Sequence, residues 1–203
     1  MNNLVKENTK NFIVEQAIEL FLEKSIAGVT IIDIARHVGV GEATLYRYFQ
    51  KKQNIVMQAS AKLADKVLND YSALDGDVRS GYEQLSLFYN TYLNIFKNKP
   101  QYFRFIDELD AYLLTEKDIQ KSEYESEIEI FKSIFDKSYE KGVEDGSVKK
   151  LEDKDAFYYS TAHSLLNLCK SLASAAVLKQ DENINKEQEI QTLIDVILYF
   201  VKK

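Results

Sequence analysis

Residues 28–52 read GVTIIDIARHVGVGEATLYRYFQKK, a set of side chains suited to holding a nucleic-acid duplex. An arginine such as Arg47 can fork onto N7 and O6 of guanine in the major groove, a threonine such as Thr44 can meet a base edge or a phosphate, and a residue as small as Ala43 lets a helix come close. The hydroxyls of Tyr46 and Tyr48 and the ammonium groups of Lys51 and Lys52 suit phosphate oxygens, contacts that fix position without reading sequence. Two plainer readings stand beside these. The tyrosines can pack on the following helix, and adjacent lysines are solvated in most proteins.

Two short helices about a glycine turn, over residues 30–49, would position these groups, which is the helix-turn-helix arrangement. Thr30 and Asp33 stand in the spacing of a capping box, so the Thr30 side chain caps the first helix while Asp33 answers its backbone N–H. Ile34, Ala35 and Val38 then face inward. Gly39 takes the left-handed conformation that ends this helix, Val40 fills the space between the pair, and Gly41 starts the next. At 100° per residue, Leu45 and Phe49 share one face of the second helix while Ala43 and Arg47 point nearly opposite, with Thr44 and Tyr46 on the flanks.

The rest of the chain reads as helix. It has 203 residues, 45% of them hydrophobic and 29% charged, the composition of a folded globular protein of one or two domains. Its seven glycines and one proline divide it at Gly28, Gly39 with Gly41, Gly76 with Gly81, Pro100, and Gly142 with Gly146. Apolar residues between them recur at three and four positions, and no convincing strand pattern is present, so the spacing predicts an all-α chain of about nine helices. Pro100 should open a helix beginning at Gln101 and stop the preceding one near Lys97-Asn98. A long helix over about 153–178 and a last one over about 187–201 should follow Gly146. The start of the chain lacks the order of a signal peptide, and no apolar run approaches the roughly 20 residues a membrane span needs. With a single cysteine, Cys169, a reducing cytoplasmic setting is expected, and Cys169 reads as a small buried residue over a thiol sensor.

The order Leu20-Phe21, Gly28-x-Thr30, Asp33-Ile34-Ala35, Gly39-Val40, Leu45-Tyr46-Arg47-Tyr48-Phe49 resembles the DNA-binding domain of the tetracycline-repressor (TetR) family over about residues 10–60. Beyond it, Asn98-Lys99-Pro100 and Gly142-x-x-x-Gly146-Ser147 before a long helix match only the family's layout. The resemblance implies a helix-turn-helix DNA-binding domain at 1–52 and an effector-binding and dimerisation domain at 53–203. It implies phosphate contacts from Thr30, Thr44, Tyr46, Tyr48 and Lys52, joined by Lys51. It puts Gly41, Glu42, Ala43, Thr44 and Arg47 in or beside the major groove. Three positions depart from the family's habit. Ile31 stands where a second threonine is common, and Gly41 where serine often caps. Glu42 is acidic, and either accepts from cytosine N4 or stays solvated near the helix N-terminus.

For the larger domain the resemblance implies a small-molecule cavity of unknown ligand class. Sixteen of the 24 aromatics lie between Tyr82 and Tyr159, a local excess suited to such a pocket and equally to core packing. The candidate lining is Tyr89, Tyr92, Phe96, Phe103, Arg104, Phe131, Phe135, Tyr158 and His163. Arg104 either anchors an anionic ligand or pairs with Asp107 or Glu108. The last two helices carry small and apolar residues that the resemblance assigns to a homodimer, with Ser160, Leu166, Ala173, Ile190, Ile194, Ile197 and Leu198 at the interface. A twofold dimer reads a palindromic operator in double-stranded DNA.

The expectation is a homodimeric repressor released by a small molecule, with an activator or a protein-controlled regulator on the same fold as the alternative. An enzyme is disfavoured. Two histidines and one cysteine build no His/Cys metal site, and no phosphate loop or nucleophile elbow is present, so no catalytic residue, metal or cofactor is expected. The net charge of −6 speaks against nucleic-acid binding only until it is divided: residues 1–60 carry +1 and the remainder −7. A reading domain so weakly cationic should hold nonspecific DNA poorly.

Overall fold

Nine helices appear among the described residues, 3–72, 79–115, 122–178 and 185–203, of the chain's computed structural model. They are α1 (Asn3–Lys24), α2 (Ile31–Val38), α3 (Glu42–Phe49), α4 (Lys52–Ser72), α5 (Gly81–Asn98), α6 (Gln101–Thr115), α7 (Ser122–Glu144), α8 (Lys154–Leu178) and α9 (Lys186–Val201). The fold is all-α, its only β feature among the described residues an isolated antiparallel bridge between Val148 and Lys202. None of these helices is long and apolar enough to cross a membrane.

The punctuation acts largely where the spacing places it. α5 ends at Asn98 and α6 begins at Gln101, directly after Pro100. Gly39 adopts a left-handed φ of 77° at the end of α2, a conformation in which a side chain meets steric conflict. Gly142 behaves otherwise. It lies inside the last turn of α7, and Gly81 is the buried first residue of α5. A Cβ added at Gly81 would come within 2.0 Å of the Gly142 backbone nitrogen, so the two glycines mark a place where helix backbones cross almost without side chains between them. Gly76 lies outside the described residues.

The chain divides into two compact units. The first comprises Met1–Asp65 and Phe105–Gln120, so the unit that holds the helix-turn-helix continues past residue 52 and recruits distant sequence. In it Ile13, Val14, Ala17 and Phe21 of α1 are buried with Leu45 and Phe49 of α3 and with Ile55 and Val56 of α4. Phe105 and Leu109 of α6 are buried too, the Phe105 ring lying 6.4 Å from that of Phe21.

The second unit comprises Lys66–Arg104 and Lys121–Lys203. The start of α5 is tied by polar groups from the loop after α7: the Gly81 N–H donates to the Asp145 carboxylate at 2.8 Å and the Tyr82 N–H to the Ser147 hydroxyl at 3.0 Å. Ser80 and Glu83 add a capping box, so these orphan helix donors are satisfied. Lys132 bridges Asp136 and Asp155 while Lys154 bridges Asp136 and Glu140, linking α7 to the start of α8.

The Gly81→Ala substitution should lower unfolding stability by about 3 kcal/mol, at the upper end of overpacking costs, because the added methyl meets backbone and cannot rotate away. Urea denaturation checks this; an unchanged midpoint would contradict the close crossing.

Candidate nucleic-acid interface

The helix-turn-helix is held at its start by reciprocal hydrogen bonds. The Asp33 N–H donates to the Thr30 hydroxyl oxygen at 3.1 Å, and the Thr30 N–H and hydroxyl donate to the Asp33 carboxylate at 2.9 and 2.6 Å. These bonds, the Thr30 hydroxyl's foremost, hold the Asp33 carboxyl below the usual carboxylate range. At the far end of α2 the Gly39 and Val40 N–H groups both donate to the Ala35 carbonyl at 3.0 Å, closing the turn into α3. α3 starts on Gly41 without any side-chain cap.

The eight residues of α3 separate two faces. Leu45 and Phe49 are buried, whereas Glu42, Ala43, Tyr46 and Arg47 are exposed, with Thr44 and Tyr48 half-buried. Tyr46 is 50% exposed, so it stands out from the unit. The Arg47 guanidinium lies 5.4 Å from the centre of the Tyr48 ring. Gly41 and Lys51 are exposed at the two ends of α3, and Thr30 is exposed at the start of α2. Thus Thr30, Gly41, Glu42, Ala43, Thr44, Tyr46, Arg47, Tyr48 and Lys51 are all wholly or partly open to a partner.

Lys52 is different. Its ammonium donates to the Ile26 carbonyl and lies 5.5 Å from the centre of the Tyr112 ring, so the phosphate role expected of it gives way to an internal one. The Ile26 N–H, on the same residue, donates to the Glu108 carboxylate at 2.7 Å. Two opposite charges thereby hold the N–H and C=O of one buried residue in the link between α1 and α2. Glu108 and Tyr112 lie some 80 residues away along the chain, and no local pattern announces this tie. The Glu108 carboxylate, one of the partners the sequence offered Arg104, is engaged with the Ile26 N–H.

The residues proposed for a small molecule fall into several environments of the second unit. Tyr89, Phe135 and Tyr158 are buried together, with ring centres 6.4 Å apart for Tyr89–Phe135 and 5.0 Å for Phe135–Tyr158. Tyr92 and Phe131 join them through Phe88 and Tyr71. Phe96 and Phe103, in the same core, form a ring pair 6.3 Å apart, and Arg104 is half-buried on α6. His163 does not line this cluster. It is exposed on α8, 6.0 Å from Tyr159, because its position turns away from buried Tyr158 and Leu165.

Tyr71 and Thr161 are members the sequence did not single out, Tyr71 because it precedes the aromatic-rich stretch. The Tyr89 hydroxyl and the Thr161 hydroxyl are 2.9 Å apart, and Tyr71 hydrogen-bonds Tyr92. Burial pushes the phenols of Tyr71, Tyr89 and Tyr92 well above the ordinary tyrosine value, and Tyr158 to about 12. These hydroxyls are therefore neutral polar groups in an apolar setting. Cys169 is also buried, its thiol raised to about 12 by desolvation, the opposite of an activated thiolate.

The residues proposed for a dimer contact are likewise divided. Ala173, Ile190, Ile194, Ile197 and Leu198 are buried in the core of their own unit, Ala173 and Leu198 keeping 8% and 7% exposure. Leu166 is half-buried and Ser160 exposed. Among the described residues, the large apolar side chains these helices leave open are Tyr159 on α8 and Val196, Tyr199 and Phe200 on α9, with Tyr199 85% exposed.

A short helix with a buried anchor face, an exposed Arg47 beside a half-buried Thr44 and a glycine turn before it defines a helix-turn-helix protein. Residues 13–59 match the family described as bacterial regulatory proteins, tetR family. Over 100 residues the chain is 33% identical to the biofilm operon icaADBC HTH-type negative transcriptional regulator IcaR of Staphylococcus aureus (strain Newman), covering 49% of this chain and 53% of that protein. The chain thus spans about half the length of the curated relatives it matches. A transcriptional regulator from Saccharomonospora viridis in complex with choline shares the fold at TM-score 0.79 and 17% identity, covering 97% of this chain and 99% of that one. FadR from Bacillus subtilis in complex with stearoyl-CoA does so at TM-score 0.67 and 14% identity, covering 92% and 96%. Residues 13–59 thus carry the DNA-binding segment of the tetR family of bacterial regulatory proteins, and the whole chain shares the fold of solved regulators of that kind.

Replacing Thr30 by Ala should cost about 1 kcal/mol, the usual worth of an N-cap. Because the Asp33 carboxyl is depressed in the folded state, its contribution is complete above the unfolded carboxylate value of about 3.9 and is lost as pH falls through the lower folded value. Melting curves between neutral and strongly acidic pH should therefore show a steeper acid loss in the wild type than in Thr30→Ala. Parallel curves would count against the cap.

Proposed function

We propose that this protein is a sequence-specific transcriptional repressor that binds a palindromic operator as a homodimer and is released by a small molecule. The carrying observation is α3: Leu45 and Phe49 anchor it inward while Ala43, Thr44 and Arg47 remain open on the surface. Such a helix enters the major groove with Arg47 toward guanine and Thr44 toward a base or phosphate, while Thr30, Tyr46, Tyr48 and Lys51 take backbone phosphates. Gly41 permits close approach, and Glu42 sits at the groove edge. The sign of regulation follows IcaR, named a negative regulator.

Exposed Tyr159, Val196, Tyr199 and Phe200 support association of two copies through α8 and α9, since large apolar groups on adjoining helices favour burial. The paired copies then supply two reading helices for successive major grooves. The cluster of Tyr71, Tyr89, Tyr92, Phe131, Phe135 and Tyr158 supports an effector site, because buried neutral hydroxyls can re-pair with a ligand as readily as with each other. An effector must prefer the dimer geometry that misplaces the reading helices, and its affinity falls by the same factor when DNA is bound.

DNA from upstream of the protein's own gene tests the reading in a gel-shift titration. The wild type should give a salt-sensitive, sequence-selective shift, and Arg47→Ala should weaken it by about 1–3 kcal/mol, roughly ten- to a hundredfold, with relaxed base preference. Tyr199→Glu should leave a monomer by light scattering and lose the cooperative shift. A metabolite that raises the melting temperature and frees the DNA identifies the effector. The absence of any selective shift at submicromolar wild-type protein would falsify the proposal.

A further inference from the structure

Helix α1 begins at Asn3, well before the matched segment opens at residue 13. Its inward stripe is Ile13, Val14, Ala17 and Phe21, all buried at helical spacing. Continued toward the start of the helix, the same three- and four-residue rhythm falls on Lys10 and then on Lys6 with Glu7. The face that makes the core of the first unit thus becomes cationic as it runs past the end of α3. The Lys10 ammonium lies 5.8 Å from the centre of the Phe49 ring, and Leu4, Lys6, Glu7, Lys10 and Tyr48 line an open groove of about 510 Å³.

Tyr48 therefore has cations on both sides, Arg47 against its ring and Lys6 and Lys10 across the groove. Among the described residues neither Lys6 nor Lys10 forms a salt bridge, whereas Lys52 is engaged with Ile26 and Tyr112. A reading segment of net charge +1 has few cations to spare, and these two stand beside Tyr48, in the last turn of the reading helix.

We infer that Lys6 and Lys10 of α1 form, with Tyr48, a phosphodiester-binding groove that extends the DNA contact beyond the helix-turn-helix. The occupant is the duplex backbone flanking the bases faced by α3. The groove adjoins Arg47 in the same compact unit, and two ammonium groups with a phenol are the donors that phosphate oxygens take. Glu7 opposes this from inside the groove and moderates it. The contact is sequence-independent, because a lysine meets phosphate as a point charge and reads no base edge. This inference rests on the DNA-binding reading above.

The test uses the full chain and fluorescence anisotropy on the DNA upstream of its own gene and on a scrambled duplex, between about 50 and 200 mM salt. The double variant Lys6→Gln/Lys10→Gln should bind both duplexes more weakly, keep the ratio between them, and flatten the slope of log affinity against log salt by about 1.8 per bound chain, 0.9 for each lost phosphate contact. Glu7→Gln should bind both duplexes more tightly, a gain that misfolding cannot mimic. Lys150→Gln, an equal charge change per site on the second unit, should leave the slope unchanged. A wild type that binds the DNA while the double variant keeps its full slope overturns this inference alone; a wild type that binds no DNA overturns the DNA-binding reading with it. Loss of slope in Lys150→Gln equal, per charge removed, to that in the double variant also overturns it, since net charge and not the groove would then be responsible.

Discussion

An eight-residue helix cannot hold itself together in water, because nucleation fixes several residues before the first hydrogen bond repays them. α3 exists only because Leu45 and Phe49 are buried. Everything the site offers follows from that dependence: the residues between the two anchors must face outward, and their outward direction is set by the core beneath. The core is assembled from α1, α2, α4 and the Phe105–Thr115 part of α6, with Leu109 among the fully buried side chains. The Ile26 tie belongs to the same constraint. Glu108 and Lys52 satisfy a buried N–H and C=O where the chain is neither helix nor strand, a place where unpaired groups would be costly.

The second unit balances packing against polarity in another way. Its centre is aromatic, with rings 5–6.4 Å apart in edge and tilted arrangements that suit their quadrupoles. Threaded through it are phenols whose hydroxyls must find partners, and they find Thr161 and each other. Burial keeps these hydroxyls neutral, so they bring polarity into the apolar core without the desolvation cost of a buried charge.

What was legible in the sequence was local. The capping box at Thr30 and Asp33, the left-handed Gly39, the start of α6 after Pro100 and the two faces of α3 all follow from residue type and helical spacing, and the structure shows each of them. What was not legible depended on residues far apart. Lys52 looks like any exposed cation until Ile26 and Tyr112 are beside it, and Gly142 looks like a helix stop until Gly81 crosses it. Period alone showed that α9 has an apolar face but not which partner covers it. Ile190, Ile194, Ile197 and Leu198 are used within the second unit's own core, and the large apolar residues left over are Val196, Tyr199 and Phe200. His163 is exposed five residues after buried Tyr158, a difference of helix face that the aromatic excess alone does not register.

Cys169 is the single cysteine of the chain, and it is sealed in the second unit with its thiol held in the neutral form. Alkylating reagents act on exposed thiolates, so the native chain is chemically silent toward them while folded. A cysteine introduced at an open position of α3 or α9 is then the sole reactive sulfur, with no need to alter the core. Spectroscopic labels can be attached to this protein one helix at a time, and the surroundings of each helix can be followed in solution.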